Sequence, residues 1–236
     1  MMIEIRRSDF LFVLTGAGLS AESGIPTFRG TGGWWKGYRA EALATPEAFA
    51  RDPEVVWRFY SMRRSVAAYC KPNPGHFALA RLEEQLGNRL VHCTQNVDGL
   101  VEQAGSKGTL HMHGELFKSR CSNAGCKTLP FVDTQTYEQR SEIPTCRSCG
   151  SLIRPHICWF GEMPFHLNEV FIALKQCTVL VAVGTSGVVE PAASFAARAK
   201  QSGARTFYVG PEEPANDGAF EQMFLGKAGE VLPTLM

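Results

Sequence analysis

The sequence predicts an α/β fold, in which a parallel sheet is flanked by helices and interrupted by a small insert rich in cysteine and proline. Short apolar runs with many β-branched residues alternate with stretches suited to helices, which is typical of βαβ units. From Cys121 to Cys149, by contrast, apolar residues are sparse and prolines, threonines and cysteines dominate. The insert therefore needs something other than a hydrophobic core to hold it together.

The apolar runs end in glycine or polar residues and predict strands at 10–15, 89–96, 178–186 and 205–210. The stretches around them predict helices at 45–51, 53–69, 75–86 and 191–203. The clearest βαβ unit joins the third strand to the fourth, because Pro191 suits a first helical turn and Gly203 suits a helix end.

Composition excludes several classes of protein. Of the 236 residues, 44% are hydrophobic and 20% are charged, which argues against disorder, and the formal net charge of +1 predicts neither a nucleic-acid nor a membrane partner. The apolar stretch after Arg7 is short and predicts a buried strand rather than a signal peptide. Eight cysteines without an export signal indicate a reducing compartment, so we expect a cytoplasmic protein.

Four cysteines of the insert have the spacing of a structural zinc site. Cys121 and Cys126 form one pair and Cys146 and Cys149 the other, and four thiolates satisfy tetrahedral zinc without leaving a position for water. Unrelated thiols or two disulfides are the alternatives, and the first pair is wider than the usual two-residue gap. The other cysteines lie in apolar surroundings and are expected in the core: Cys70, Cys93, Cys158 and Cys177.

Three predicted strands end in polar or glycine-rich segments: Gly16-Ala17-Gly18-Leu19-Ser20, Gln95-Asn96-Val97-Asp98 and Gly184-Thr185-Ser186. Glycines after a strand let backbone N–H groups approach a diphosphate, although the first segment lacks the third glycine of a full dinucleotide motif. A tight structural turn explains it equally well, and turn or cap roles explain the second segment. Because ligands of parallel sheets bind at the carboxyl ends of strands, we expect the three segments to share one ligand.

Taken together, the motifs resemble those of the sirtuins, which are NAD-dependent protein-lysine deacylases. The family's characteristic order is found in GAGLSAESGIPTFRG, TQNVDGL, HGELF, the paired cysteines, RPHICWFGE and VGTSGVVEPAASF. These motifs run from residue 16 to about residue 191, and GKAGEVLPTLM resembles the family's C-terminal strand. The resemblance therefore covers essentially the whole chain.

The resemblance implies a single sirtuin-type domain over residues 1–236. Its large Rossmann-like part comprises 1–30, 75–117 and 165–236, and its small part is helical at 31–74 and zinc-binding at 118–164. NAD, consumed as a co-substrate, would meet an acyl-lysine in the cleft between them. The residues implied to bind NAD are Gly16, Ala17, Gly18, Ser20, Ala21, Phe28, Arg29, Gln95, Asn96, Val97, Asp98, Gly184, Thr185, Ser186 and Ala228.

His113 matches the family's catalytic base, and Asn96 and Asp98 are implied to hold the nicotinamide end of NAD during catalysis. A histidine with a near-neutral pKa can take a ribose hydroxyl proton while the acyl oxygen attacks the ribose carbon. The products would be nicotinamide, 2′-O-acyl-ADP-ribose and free lysine. His111, two positions earlier, packs or hydrogen-bonds nearby in this interpretation and has no chemical role.

Residues 160–162 and 187–190 resemble the two segments between which sirtuins clamp an extended substrate peptide. Main-chain hydrogen bonds give affinity in such a clamp with little sequence specificity, so the target proteins cannot be named. Without the resemblance, these residues are only loops beside strands. The implied substrate-binding residues are Phe160, Gly161, Glu162, Val188 and Val189.

The predicted helix 53–69 indicates which acyl group is removed. Tyr60 and Arg63 are three apart and share a face, where a guanidinium and a phenol suit a carboxylate. The alternative is an arginine in solvent, but the pair matches the sirtuin branch that removes succinyl and malonyl groups. Ala44 matches a small residue that leaves room for the longer chain. We therefore expect desuccinylation and demalonylation besides deacetylation, with Arg64 as a solvated neighbour.

The chain departs from the sirtuin pattern at two positions. Gly210 stands where the family usually has an asparagine that contacts the adenosine ribose, and Cys158 stands where valine is usual. Two other functions stay open at this point: mono-ADP-ribosyl transfer, and an NAD-sensing or zinc-ribbon binding module. Nothing in the sequence requires more than a monomer.

Overall fold

The computed structural model describes residues 3–27, 34–35 and 38–235, and the predicted strands form one parallel sheet with two further strands. The strands are numbered in chain order and lie in the sheet as β11 (Gln222–Leu225), β10 (Arg205–Gly210), β9 (Val179–Val183), β1 (Leu11–Thr15), β4 (Leu90–Thr94) and β5 (Leu110–His111). Every neighbouring pair is parallel. The predicted parallel α/β fold is therefore confirmed.

The strand order reverses at β1, which is where ligands bind in open α/β sheets. The strands that follow β1 in the chain, β4 and β5, lie on one side of it in the sheet. The later strands β9, β10 and β11 lie on the other side. Thr15 pairs with Thr94 on one side and with Val183 on the other. The three polar segments predicted to share a ligand therefore leave the sheet side by side.

Helices bury both faces of the sheet. Leu11, Val13 and Val181 pack toward α5 (Pro74–Leu86) and α9 (Ala228–Leu235). Phe12 and Leu180 pack toward α7 (Leu167–Gln176) and α8 (Phe195–Gln201). Because successive residues of a strand point to opposite faces, strands buried on both sides are apolar without alternation, as the sequence shows.

Three predicted helices begin within a residue or two of the expected positions, because the signals for their first turns are local. Each starts with a polar N-cap side chain followed by proline, a residue whose fixed φ suits the first turn: Thr45-Pro46, Asp52-Pro53 and Asn73-Pro74. These three helices are α3 (Pro46–Arg51), α4 (Pro53–Ala67) and α5. Three shorter α-helices complete the described residues: α1 (Ala17–Ala21), α2 (Ala40–Leu43) and α6 (Leu100–Gln103). Within the described ranges, no helix has both the length and the apolar character needed to cross a membrane.

The prediction of a C-terminal strand is wrong for the last residues of the chain. These residues form α9, and the last strand of the sheet, β11, comes before them. The buried residues Ala228, Leu232 and Leu235 recur at helical spacing and pack against α5. The predicted helix 191–203 is also shorter than expected, because α8 begins only at Phe195 after a short 3₁₀ turn.

The insert is a small antiparallel sheet in the order β7 (Phe131–Val132), β6 (Gly114–Cys121) and β8 (Ile153–Ile157). The helical segment before α5 contributes α2, α3, α4 and a hairpin of β2 (Trp34–Trp35) and β3 (Tyr38–Arg39). Trp57 of α4, Ile153 of β8 and Cys146 belong to one buried cluster. The helical segment and the insert therefore share a core, and their assignment to one small domain stays a prediction.

Arg64 corrects an expectation, because it is a buried link rather than a solvated side chain. It is 1% exposed and its guanidinium lies 3.3 Å from the carboxylate of Asp133. It also donates to the carbonyl oxygens of Leu116, Lys118 and Gln135. An arginine can be buried only when its charge and donors are satisfied in this way, so Arg64 joins α4 to the insert.

We predict that Arg64→Met lowers the free energy of unfolding by about 3–5 kcal/mol, because it leaves the buried carboxylate of Asp133 without its cation. Urea unfolding measures the change. Arg58→Met is the matched control, since Arg58 lies on the same helix in exposed ion pairs with Glu54 and Glu138, and its loss costs less than about 1 kcal/mol. Equal losses for the two variants would contradict the assignment.

Candidate active site

The turns that follow β1 and β9 touch through their backbones. A Cβ atom on Gly18 would lie 2.6 Å from the Cα of Gly184, and one on Gly16 would lie 2.9 Å from the carbonyl oxygen of Gly184. Gly184 also has a φ of 61°, which favours glycine. The contact between the two turns is therefore a structural reason for these glycines, besides the predicted approach of a diphosphate.

Ser20 is the junction of a buried hydrogen-bond network in this cleft. The backbone N–H of Asn73 donates to Nδ1 of His76, so Nε2 of His76 carries the hydrogen that points to the Ser20 hydroxyl oxygen, 3.3 Å away. The side-chain amide of Asn96 also donates to Ser20, at 3.1 Å. Ser20 then donates its own hydrogen to Asp98 and helps to stabilise that carboxylate.

The network holds its members in defined protonation states. Burial lowers the pKa of His76 to about 4, so the ring is neutral near pH 7 and keeps one tautomer. Burial raises the pKa of Asp98, while hydrogen bonds from the Leu100 N–H and from Ser20 oppose the rise. Asn96 donates a second hydrogen bond to the carbonyl oxygen of Gly16. The amide and the carboxylate predicted to act on nicotinamide are thus held rigidly at one strand end.

His113 follows β5 and reaches the same edge of the sheet. Its Nδ1 lies 3.2 Å from the carbonyl oxygen of Gln95, which can only accept, so Nδ1 carries the hydrogen and Nε2 keeps a lone pair. Burial lowers the pKa of His113. A neutral imidazole with a free Nε2 is suited to act as a general base.

His111, two positions earlier, has a different environment. It bonds to the carboxylate of Glu102 at 2.7 Å, and although burial opposes protonation, this partner raises its pKa. The expectation that His111 has a local structural contact is confirmed.

The strand end after β9 lies against the turn that follows β1, because a Cβ atom on Gly16 would lie 3.1 Å from the Cα of Thr185. Thr185 is buried, and its carbonyl oxygen accepts a hydrogen bond of 3.1 Å from the hydroxyl of Tyr208. A Cβ atom on Gly210 would collide with that hydroxyl. Glycine at this position therefore makes room for Tyr208, and only backbone atoms of residue 210 are available to a ligand. Ser186, the next predicted residue, is half-buried beside Thr185.

The other predicted NAD-binding residues fall into three groups. Phe28 and Arg29 lie outside the described residues. Ala17 and Val97 are half-buried at the cleft, whereas Ala21 is exposed at the end of α1. Ala228 is 1% exposed in the packing of α9 against α5, so its side chain faces the core rather than a ligand.

The predicted acyl-binding residues lie on the opposite wall, in α4 and the loop before α3. Tyr60 is 1% exposed, and burial raises the pKa of its phenol to about 12, so the phenol stays protonated. Arg63 is half-buried, and its charge interacts with the phenol of Tyr60 and the carboxylate of Asp98. The backbone carbonyl of Ala44 accepts a 2.9 Å hydrogen bond from the N–H of Phe160. The predicted acyl-binding residues and the strand end that carries Asp98 are therefore linked through the charge of Arg63.

The two predicted peptide-clamping segments present apolar surface. Phe160 is 49% exposed and Val188 is 55% exposed, values high for large apolar side chains. Glu162 behaves differently, because its carboxylate bonds to Arg154 at 2.6 and 2.9 Å and to the N–H of Trp159 at 2.8 Å. Glu162 therefore stabilises the conformation of this segment through these hydrogen bonds.

Four cysteines meet in the insert as predicted. The sulfur atoms of Cys121, Cys126, Cys146 and Cys149 all lie within 4.8 Å of one another. The distance from Cys121 to Cys149 is 3.4 Å and that from Cys126 to Cys146 is 3.7 Å, too long for disulfides. Tetrahedral zinc with Zn–S bonds of about 2.3 Å separates its ligands by about 3.8 Å. The cluster thus fits one structural zinc ion, and the wider first pair does not prevent it.

Several residues of the site were not identified from the sequence. His76 of α5 bonds to Ser20, and Trp159 supports Tyr60 by a hydrogen bond. Asn73, the N-cap of α5, donates to the carbonyl oxygen of Leu19 and to the hydroxyl of Ser23 on either side of Ser20. Asn73 is recognisable as a helix cap before Pro74, but nothing local indicates that the next turn reaches Ser20.

Comparison with known proteins gives a consistent result. Residues 16–191 match the Sir2 family. An NAD-dependent protein deacylase of Vibrio parahaemolyticus is 45% identical over 228 residues, covering 96% of this chain and 93% of that protein. A solved complex of a Sir2 homolog with NAD aligns with a TM-score of 0.86 and 42% identity, over 95% of this chain and 86% of the other. A Sir2 structure with a deacetylated p53 peptide and 3′-O-acetyl-ADP-ribose aligns with a TM-score of 0.80 and 31% identity, over 95% of this chain and 91% of the other.

The cysteine cluster predicts a measurable metal content. Purified protein should contain about one zinc per chain, and Cys146→Ser should lose most of it and melt at a lower temperature, because the insert has few apolar residues to replace the metal. Elemental analysis and thermal unfolding measure both effects. Cys177→Ala is the control: Cys177 lies in the core against the large sheet, so this variant protein should keep its zinc. Full zinc content in the Cys146 variant would exclude the site.

Proposed function

The chain belongs to the Sir2 family, and on this basis we propose that it removes succinyl and malonyl groups, as well as acetyl groups, from protein lysines. It is an NAD-dependent protein deacylase that carries one structural zinc ion, and the selectivity for acidic acyl groups is the new element of the proposal. The products are nicotinamide, 2′-O-acyl-ADP-ribose and free lysine.

The observation that carries the proposal is the pairing of Tyr60 with Arg63 on one wall of the cleft. Both side chains offer hydrogen-bond donors, and the planar guanidinium matches a carboxylate in two-point geometry. Burial lowers the pKa of Arg63, while the phenol of Tyr60 and the carboxylate of Asp98 oppose the fall, and a ligand anion would further stabilise the charged guanidinium. A succinyl or malonyl carboxylate supplies that anion, whereas an acetyl group does not.

His113 performs the proton transfer in this proposal. When bound, NAD supplies an activated ribose carbon to which the acyl oxygen bonds as nicotinamide leaves. Nε2 of His113 is the atom that accepts the ribose hydroxyl proton, because Nδ1 is occupied by its hydrogen bond to Gln95. Asn96 and Asp98 orient the nicotinamide end, and their hydrogen bonds to Ser20 keep them from turning away.

The acylated protein binds as an extended strand between Phe160–Glu162 and Gly187–Val189. The exposed Phe160 and Val188 offer apolar contacts on either side of it. The Sir2 structure with a deacetylated p53 peptide supports a peptide substrate. Recognition through the peptide backbone leaves the choice of target protein largely open.

We predict that Arg63→Met changes acyl selectivity. The value of kcat/KM for a succinyl-lysine peptide should fall by more than about 100-fold, mostly through KM, because a charge-assisted bidentate contact is lost. The value for the matched acetyl-lysine peptide should fall far less. Arg58→Met, on the same helix in ion pairs with Glu54 and Glu138, controls for effects on the helix itself. Equal loss of both activities in Arg63→Met would show that the carboxylate role is wrong.

We predict that the activity depends on neutral His113. Because burial lowers its pKa, the base stays unprotonated through neutral pH, and kcat/KM should fall in acid with a midpoint below the ordinary 6.5. His113→Ala should abolish most turnover, whereas its zinc content should equal that of the wild type. Rates between pH 5 and 9 and elemental analysis test both points. An unchanged acid limb in the residual activity of the variant would assign the titration to another group.

A further inference from the structure

Trp159 lies behind the acyl-binding wall and contacts it directly. It is 2% exposed, and its indole Nε1 lies 2.9 Å from the hydroxyl oxygen of Tyr60. Its ring packs 5.4 Å from that of Phe49. Packing against Phe49 accounts for the burial of the ring, and the direction of its hydrogen bond has a chemical consequence for Tyr60.

An indole nitrogen can only donate a hydrogen bond, so the phenol oxygen of Tyr60 must be the acceptor. The phenol hydrogen is then directed away from Trp159. Arg63, on the same face of α4, also has donors only. Two neighbouring donors, one of them on a cationic guanidinium, suit an anionic acceptor such as a carboxylate and disfavour a cation.

We propose that Trp159 is a positioning residue for acyl selectivity, which holds the Tyr60 hydroxyl as a donor toward the terminal carboxylate of a succinyl- or malonyl-lysine. This inference rests on the proposed function and identifies a determinant of its substrate class. A side chain at position 159 without an N–H group would let the hydroxyl rotate, and the site would lose part of its preference for an acid.

The position of Trp159 is itself determined by the peptide-binding segment. The guanidinium carbon of Arg154 lies 3.2 Å from the centroid of the Trp159 ring, and Arg154 is held by both oxygens of Glu162. Glu162 also accepts the backbone N–H of Trp159. The segment predicted to clamp the peptide and the wall predicted to bind the acyl carboxylate are thus connected through one side chain.

A double-mutant cycle tests the proposal. Wild type, Trp159→Phe, Tyr60→Phe and the double variant are assayed on matched succinyl- and acetyl-lysine peptides with saturating NAD. Trp159→Phe should lower the succinyl-to-acetyl ratio of kcat/KM by about three- to tenfold, which corresponds to one net hydrogen bond. The change should appear as a higher KM for the succinyl peptide. In the Tyr60→Phe background the same substitution should change the ratio by less than about twofold.

Three results would overturn the proposal. An unchanged ratio in Trp159→Phe refutes the role of Trp159 while leaving desuccinylation intact, and an equal effect in the Tyr60→Phe background shows that Trp159 does not act through Tyr60. Failure of the wild type to turn over the succinyl peptide, with deacetylation retained, refutes the proposed selectivity and this inference with it. If Trp159→Phe does not fold, replacement by 3-benzothienylalanine keeps the bicyclic ring and removes only the N–H donor, with the same expected change.

Discussion

The backbone contact between Gly18 and Gly184 determines where the polar groups of the cleft lie. With a Cβ atom of either residue within 2.6 Å of the other's backbone, any side chain would separate the carboxyl ends of β1 and β9. Ser20 follows one of these turns and Thr185 follows the other, so both are placed by the contact. The parallel pairing of β1 with β4 then adds Asn96 and Asp98 from the third strand end. The cleft is therefore a consequence of sheet order and of two glycines that touch each other.

Buried arginines organise the opposite side of the cleft. Arg64 and Arg154 each have a carboxylate in the same chain, from Asp133 and Glu162. Both fix the structure of the small part, which has few apolar residues in its insert and depends on charge pairs and on zinc. Arg63 interacts with the phenol of Tyr60 and with a carboxylate of the large part, that of Asp98. Arg63 and Arg64 are thus neighbours on one helix with different partners. Arg64 is structural because Asp133 of the insert supplies its carboxylate.

The buried histidines of the site act as neutral groups with defined tautomers. Burial lowers the pKa of His76 and of His92 to about 4. The hydroxyl of Ser20 in α1 contacts His76, and the hydroxyl of Thr15 in β1 contacts His92. Burial also lowers the pKa of His113, and its Nδ1 bonds to the carbonyl oxygen of Gln95, which leaves the lone pair on Nε2. His111 is the exception, because Glu102 favours its charged form. The pKa values of these two histidines, separated by a single residue, are therefore shifted in opposite directions, and the lowered pKa of His113 favours the neutral form that a general base needs.

The sequence by itself determined the parallel sheet, the helix starts, the cysteine cluster and the strand ends that meet in the cleft. Each depends on local signals: apolar runs, a cap followed by proline, the spacing of thiols, and glycine after a strand. Tertiary structure decided what local signals do not contain. It buried Arg64 rather than exposing it, turned the last residues into α9, brought His76 to Ser20, and placed the indole N–H of Trp159 on Tyr60. These outcomes depend on partners distant in the sequence, such as Asp133 for Arg64, because a buried charge or donor is stable only where another segment supplies its counterpart.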